Sequence, residues 1–310
     1  MKISPINNFY QYKPSFKSTT RTTYYSHTEG EFSLPKYNRD LSKTSYFKSD
    51  ASVIMVSSNS TQFFRKDFPW ENIGKVFEKK FPQGEVRIHD FACSDGSEAF
   101  SLIIALIEQL GEKRADRFFP IIASDIDPEI IRMASSGKIS ADADDIYKIE
   151  KNIKKGNIGK YFHVTKLSEN KFILSPKEIL LKNVVFKKES IEEGLDDVDK
   201  GNNNIILCRN FWKYLKQEDL AESTWKLAHK IDDNTLLMIG FFDCNANNNS
   251  IPFFMKEMGL ERIKKHNETG TILEYNEELA NKDLLNNKDD WFNLFYRKYL
   301  SYTPRYLKQN

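Results

Sequence analysis

The 310-residue chain carries 46 basic and 44 acidic side chains and is 40% hydrophobic and 13% aromatic, the make-up of a folded protein with a substantial core. A formal charge of +2 gives no global attraction to nucleic acid or to an anionic surface, and no apolar run reaches the roughly 20 residues that a bilayer-crossing helix needs. The first residues lack the apolar stretch of a secretory signal, and Cys93, Cys208 and Cys244 are scattered without a CxxC pair. Both features point away from a disulfide framework or a metal site and toward a reducing cytoplasm.

Residues 1–55 are rich in Ser, Thr, Tyr, Lys and Asn without a sustained period of 3.6 or 2, and read as an irregular arm. Residues 56–280 read as one α/β domain. Val86–Ala92 is a buried strand, followed by a short polar turn and a strongly apolar helix over Ser97–Leu110. A second strand, Phe119–Ser124, ends in Asp125-Ile126-Asp127-Pro128 and leads to a helix closed by Gly137 and then to a charged helical stretch through Lys155. Residues 160–185 alternate in short runs broken at Ser168-Glu169-Asn170, which predicts a small antiparallel β-hairpin insertion. Further strands are expected at Val184–Lys187, Asn204–Cys208, Thr235–Phe242 and Thr271–Tyr275, with helices at Glu218–Lys230 and Ile251–Met258. Strands alternating with helices imply right-handed crossovers and a doubly wound, mainly parallel sheet. Residues 281–310 are aromatic and basic and read as a helical tail packed on the body.

Open α/β sheets bind ligands beyond the carboxyl ends of their strands, near the switch point. Ala92-Cys93-Ser94-Asp95-Gly96 has one glycine and lacks GxGxxG, so alone it reads as either a cofactor loop or an ordinary tight turn. Asp125, at the tip of the second strand, is placed to accept hydrogen bonds from ribose hydroxyls. Asp127, before Pro128, reads as a helix cap. Cys93 and Cys208 read as small packing residues, and His89, His163 and His229 as isolated structural or exposed side chains.

Four stretches, in order, resemble the CheR-type chemoreceptor glutamate methyltransferases. The family's NxTxFFR is matched by Asn59-Ser60-Thr61-Gln62-Phe63-Phe64-Arg65, and its GCSTGEEPYS by Ala92–Ser101. Its ATDID is matched by Ala123–Asp127, with Ser135-Ser136-Gly137 closing the next helix, and its IFCRNVxIYF by Ile206–Leu215. The resemblance implies a class I, Rossmann-like fold. It implies S-adenosylmethionine, with S-adenosylhomocysteine as product, held by Asn59, Thr61, Arg65, Cys93, Gly96, Glu98, Asp125, Ile126, Ser190, Ile191, Asn210 and Phe211. Glu98 would face the positively charged methionine end. Arg65 and Tyr214 would serve the acceptor, a protein methylated on glutamate in chemotaxis, with no metal, nucleic acid or membrane insertion involved. An ionised carboxylate needs no general base to attack a sulfonium methyl, which suits the lack of a Ser/His/Asp or Cys/His arrangement.

The sequence departs from the family at several points. Ala92 stands for the loop's first glycine, Ser97 for the first of two glutamates, Ser190-Ile191 for an Asn-Leu pair, and Gly240-Phe241-Phe242-Asp243 for GHSE. The N-terminal region lacks the apolar period of the family's helical receptor-binding domain. Structural roles remain open for three residues: Arg65 paired with a nearby acid, Tyr214 as a core aromatic, and Asn210 as a strand end. A methyltransferase for another protein or a small molecule, and a cofactor-binding module without catalysis, remain the alternative readings.

Overall fold

The computed structural model describes residues 61–240, 243, 250–263 and 271–302, together with four short strands before them. The chain divides into two units, Met1–Ser60 and Thr61–Asn310. In the first, Thr23–Tyr24 pairs antiparallel with Lys36–Tyr37, and Tyr46–Ser49 with Ser52–Met55. No helix occurs among its described residues. Asn59 lies outside the described residues.

The second unit is built on a seven-stranded sheet: β1 (Arg87–Phe91), β2 (Ile121–Asp125), β3 (Val184–Lys188), β4 (Asn204–Cys208), β5 (Thr235–Ile239), β6 (Leu260–Arg262) and β7 (Thr271–Tyr275). Their order is β3-β2-β1-β4-β5-β7-β6, with β1 to β5 parallel and β7 antiparallel to both neighbours. β4 and β5 are buried along their whole length, which is why they read as continuous apolar runs. Alternation sorts their side chains to two cores. Ile205 and Leu207 join the cluster on one face, and Ile206 and Cys208 the cluster on the other. Helices on both faces make the sheet doubly wound.

The first cluster packs around helices α1 (Ile73–Lys80) and α2 (Ser97–Leu110), the second around α5 (Gln217–Ala228), α6 (Ser250–Glu257) and α7 (Lys288–Tyr302). Between them in the chain lie α3 (Pro128–Ser135) and α4 (Ala143–Lys151). Asp127 caps α3, its Oδ1 accepting from the Glu129 and Ile130 amides, with Pro128 in the first turn. The tail helix α7 buries Trp291 and Phe295 against Phe254, with ring centroids 5.1 and 4.6 Å apart. Among the described residues, no helix is long and apolar enough to cross a membrane.

Besides the four short strands in the stretch that reads as an irregular arm, two strands of the second unit escape the sequence reading. Ile139–Ala141 lies at the start of the stretch that reads as helical, and β6 has no counterpart among the expected strands. Each is three residues long, too short for a period of two to show. Ile139–Ala141 joins Lys171–Pro176, which pairs in turn with Phe162–Ser168, so the hairpin is part of a three-stranded antiparallel sheet.

Candidate active site

The parallel strands place the chemistry-bearing loops side by side. Phe91 is in register with Cys208 across β1 and β4, so the loops that leave these strands are neighbours at the switch point. Backbone shape marks the same place. Among the described residues, the non-glycine residues with positive φ are Phe64, Ala92, Ser94 and Asn210, at 44°, 57°, 53° and 64°. All four belong to the motif stretches, and such conformations persist only where surroundings impose them.

The surroundings are identifiable. The stretch from Thr61 to Trp70 is fastened to α2: the Phe64 amide donates to Ser101 Oγ at 3.0 Å, and Ser101 Oγ donates to the Ser97 carbonyl at 2.6 Å. Trp70 Nε1 closes the stretch by donating to the Arg65 carbonyl at 2.7 Å. Thr61 is buried and Arg65 half-buried. Next to them, the loop after β1 is tied to β2. The Cys93 amide donates to the Ser124 carbonyl at 2.9 Å, and the Ser94 amide to Asp125 Oδ2 at 3.0 Å. Asp125 Oδ1 accepts from the Asp127 amide at 3.0 Å. Burial pushes the Asp125 carboxyl up, and the two amide hydrogen bonds offset only part of that. Gly96, at φ 83°, starts α2, where a Cβ would lie 2.8 Å from the Phe186 ring. Only glycine fits both the turn and the ring. Cys93 is buried and its thiol is pushed up by burial, which suits packing.

The third component is a buried ion cluster. Arg209, at the tip of β4, donates from Nη2 to Asp67 Oδ1 at 2.7 Å and from Nη1 to Glu98, and its guanidinium lies 4.5 Å from the Phe68 ring centroid. Burial pulls the guanidinium's pKa down, but Glu98 and Asp67 outweigh it and leave it raised. Asp67 Oδ2 also accepts from Asn210 Nδ2 at 3.0 Å, so one carboxylate holds two consecutive residues of the Cys-Arg-Asn stretch. The Asn210 and Gly240 amides both donate to Asp243 Oδ2. Asp90, fully buried on β1, has its carboxyl pushed well up by burial and then by Glu98.

The arrangement brings Cys93, Gly96, Glu98, Asp125 and Asn210 to one end of the sheet, with the stretch that carries Thr61 and Arg65 fastened to it through Phe64 and Asp67. Ser190 and Ile191 follow directly after Glu189, whose amide donates to the Asp125 carbonyl at 3.2 Å. The Ser190 hydroxyl caps the turn Ile191–Gly194 by accepting from the Glu193 amide. Phe211 stacks on Trp212 at 4.9 Å, and Tyr214 is 44% exposed in the one-turn helix that follows. Glu98 pairs with Arg209 within the cluster. Sequence reasoning misses Asp67 and Asp90, and takes Arg209 and Asp243 only as parts of motif stretches. The available signal is Arg209 itself, a charged residue ending the apolar run Ile205–Cys208, which burial obliges to have partners.

These residues suit S-adenosylmethionine. Ile126, at the tip of β2, is 67% exposed beside the buried Asp125, an apolar face next to a carboxylate, as an adenosine requires. The Ser94 hydroxyl is buried without a hydrogen-bond partner in the protein.

The comparisons agree with this chemistry. The family description "CheR methyltransferase, SAM binding domain" matches residues 59–254. The chain is 28% identical over 210 residues to the chemotaxis protein methyltransferase of Borreliella burgdorferi, covering 64% of this chain and 69% of that one. It is 23% identical over 198 residues to the Listeria monocytogenes chemotaxis protein methyltransferase, covering 62% and 67%. It is 24% identical over 205 residues to chemotaxis protein methyltransferase 2 of Vibrio cholerae, covering 65% and 67%. With strand tips, buried Asp125 and the Cys-Arg-Asn turn arranged as described, the chain belongs to the CheR methyltransferase family and is an S-adenosylmethionine-dependent methyltransferase.

Proposed function

We propose that this chain methylates a carboxylate, on a glutamate of a protein partner, and that Arg65 and Tyr214 handle that acceptor. The observation that carries the reading is the fastening of the Arg65 stretch over the strand tips, through Ser101 on one side and Asp67 on the other. The relatives named as chemotaxis protein methyltransferases support a protein acceptor in a signalling system. Asp125, Ile126, Thr61, Glu98, Asn210 and Phe211 would hold the cofactor, with Ser190 and Ile191 at its adenine end. When bound, it supplies an electrophilic methyl on a sulfonium, which a carboxylate oxygen takes with its own lone pair while the sulfur keeps the C–S pair and no proton moves.

The protein's own part is orientation and dehydration. A glutamate carboxylate is ionised near neutral pH, so positioning and removal of water are the tasks that remain. The planar fork of Arg65 can bind one oxygen and leave the other to react, a geometry that a lysine ammonium does not impose. The backbone bond between the Arg65 carbonyl and Trp70 fixes where that side chain starts.

Arg65→Lys is the test. Transfer to protein from labelled cofactor should fall about 100-fold or more, with the Kd for S-adenosylhomocysteine within about threefold of wild type, a difference under about 0.7 kcal/mol. The product of the wild type should release methanol in mild alkali, as an ester does. Wild-type transfer rates in the lysine variant would remove Arg65 from the acceptor site, and an alkali-stable product would refute a carboxylate acceptor.

A further inference from the structure

Three serines lie between Cys93 and Leu102, and the fold employs two of them. Ser97 Oγ donates to Asp95 Oδ1 at 2.6 Å. Ser101 Oγ donates to the Ser97 carbonyl at 2.6 Å and accepts from the Phe64 amide at 3.0 Å. Ser94 differs: the residue is 8% exposed, and its Oγ is buried with no hydrogen-bond partner in the protein. A hydroxyl shut away from water without a partner is a cost that glycine or alanine would avoid. Position 94 carries a second cost, because its φ of 53° is a conformation that glycine takes more easily than serine. Neither is offset by a hydrogen bond that the hydroxyl makes within the protein.

The neighbouring carboxylate indicates what the hydroxyl would meet. Asp125 Oδ2 accepts from the Ser94 amide at 3.0 Å and Oδ1 from the Asp127 amide at 3.0 Å, and the Ile126 amide also favours the ionised form. A carboxylate has about four lone-pair sites, so Asp125 keeps room for a ligand hydroxyl. A ribose hydroxyl that gives its proton to Asp125 is left with an oxygen that seeks a donor. The amides of Cys93, Ser94, Gly96 and Ser97 are all engaged, with the Ser124 carbonyl at 2.9 Å, Asp125 Oδ2 at 3.0 Å, the Cys93 carbonyl at 3.1 Å and Asp95 Oδ1 at 3.0 Å. The Ser94 hydroxyl, on the residue whose amide already holds Asp125, is an unused donor. No hydrogen bond fixes its rotamer, so it can turn about Cα–Cβ to another staggered well as a ligand arrives.

We propose that Ser94 is a ribose-binding residue: its hydroxyl donates to a ribose hydroxyl of the cofactor whose own proton goes to Asp125. The two side chains then satisfy that hydroxyl as acceptor and as donor, and a ligand that lacks it loses both bonds at once. The inference rests on the placement of the ribose at Asp125 and adds a donor to it.

Calorimetry on the full chain with S-adenosylhomocysteine and its 2′-deoxy and 3′-deoxy analogues tests it. Ser94→Gly removes the hydroxyl and suits the positive φ. Binding of S-adenosylhomocysteine should weaken about fivefold to tenfold, the scale of one neutral hydrogen bond, while at least one deoxy analogue stays within about twofold of its wild-type affinity. Equal weakening of all three ligands, or no weakening of S-adenosylhomocysteine, overturns the proposal. Asp125→Asn separates this outcome from the placement beneath it, and should also weaken S-adenosylhomocysteine more than the same analogue. If neither variant tells the ligands apart, the ribose placement falls with the proposal. If Asp125→Asn does and Ser94→Gly does not, the placement stands and the proposal alone falls. Should Ser94→Gly show no cooperative thermal transition, Ser94→Ala is read by the same ratio.

Discussion

Glu108 and Arg209 are both buried charged groups that join distant segments, yet they are built on opposite plans. Glu108, on α2, is one carboxylate surrounded by donors: Oε1 accepts from Lys160 Nζ at 2.7 Å and Tyr161 Oη at 2.6 Å, and Oε2 from the Lys154 amide at 2.9 Å. Burial pushes its carboxyl up, but the bonds from Lys160, Tyr161 and Lys154 more than offset that, and it sits below its ordinary value. One anion meets one cation, and the result is a strap between α2 and the segment leading into the small sheet. Arg209 is one cation between two carboxylates, with a third carboxyl close by. The first plan ties one anion to several donors, and the second ties one cation to carboxylates from two distant stretches of the chain.

The comparison can be broken first at Arg209. Arg209→Met leaves Asp67 and Glu98 buried without their counter-ion, and urea unfolding should show a loss of about 3–5 kcal/mol. A loss below about 1 kcal/mol, the worth of an exposed pair, would mean that water reaches the cluster freely. Glu108→Gln should cost less, about 1–3 kcal/mol, and should leave the Kd for S-adenosylhomocysteine unchanged, because the strap lies outside the site. Its pH dependence has a definite sign. A carboxyl held below its usual 4.5 contributes stability above that value and loses it as pH falls through the lowered one. The gap between wild type and Glu108→Gln should therefore narrow in acid, and parallel curves would show that the charge of Glu108 is not what stabilises it.

At Asp90 the expected effect depends on pH. Its folded carboxyl is raised well above the ordinary 3.8, so its favourable contribution is present below 3.8 and declines as pH rises through the raised value. Asp90→Asn keeps the neutral shape. Wild type should lose ground to this variant as pH rises above 3.8, by at most about 1.4 kcal/mol per pH unit. No change in their difference between pH 4 and 8, roughly the span in which proteins are most stable, would place an ionised Asp90 in the cluster and alter the charge count around Arg209.

What the sequence discloses follows from the range of the interactions. Asp125 and Asp127 are separable because strand end and helix cap are local features. The turn after β1 and the Cys-Arg-Asn turn are legible because each sits at the end of an apolar run. Asp67 is not, because its partner Arg209 is 142 residues away and nothing within the Phe64-Arg65-Lys66-Asp67 stretch announces a buried carboxylate. Asp90 is hidden inside a strand that reads as buried yet also carries Arg87 and His89, so one more polar residue stands out from no local pattern. Ser101 looks like an ordinary helix residue until the fold brings the Phe64 amide to its hydroxyl.

The departure at the end of β5 becomes intelligible through one contact. A Cβ at position 240 would overlap the side-chain amide of Asn210, and the Asp243 carboxylate takes both the Gly240 and the Asn210 amides. Where the family motif reads Gly-His-Ser-Glu, this chain keeps the glycine and an acid and changes the two residues between them. The glycine and the acid at that corner are thus the two residues whose size and charge hold the Asn210 turn in shape.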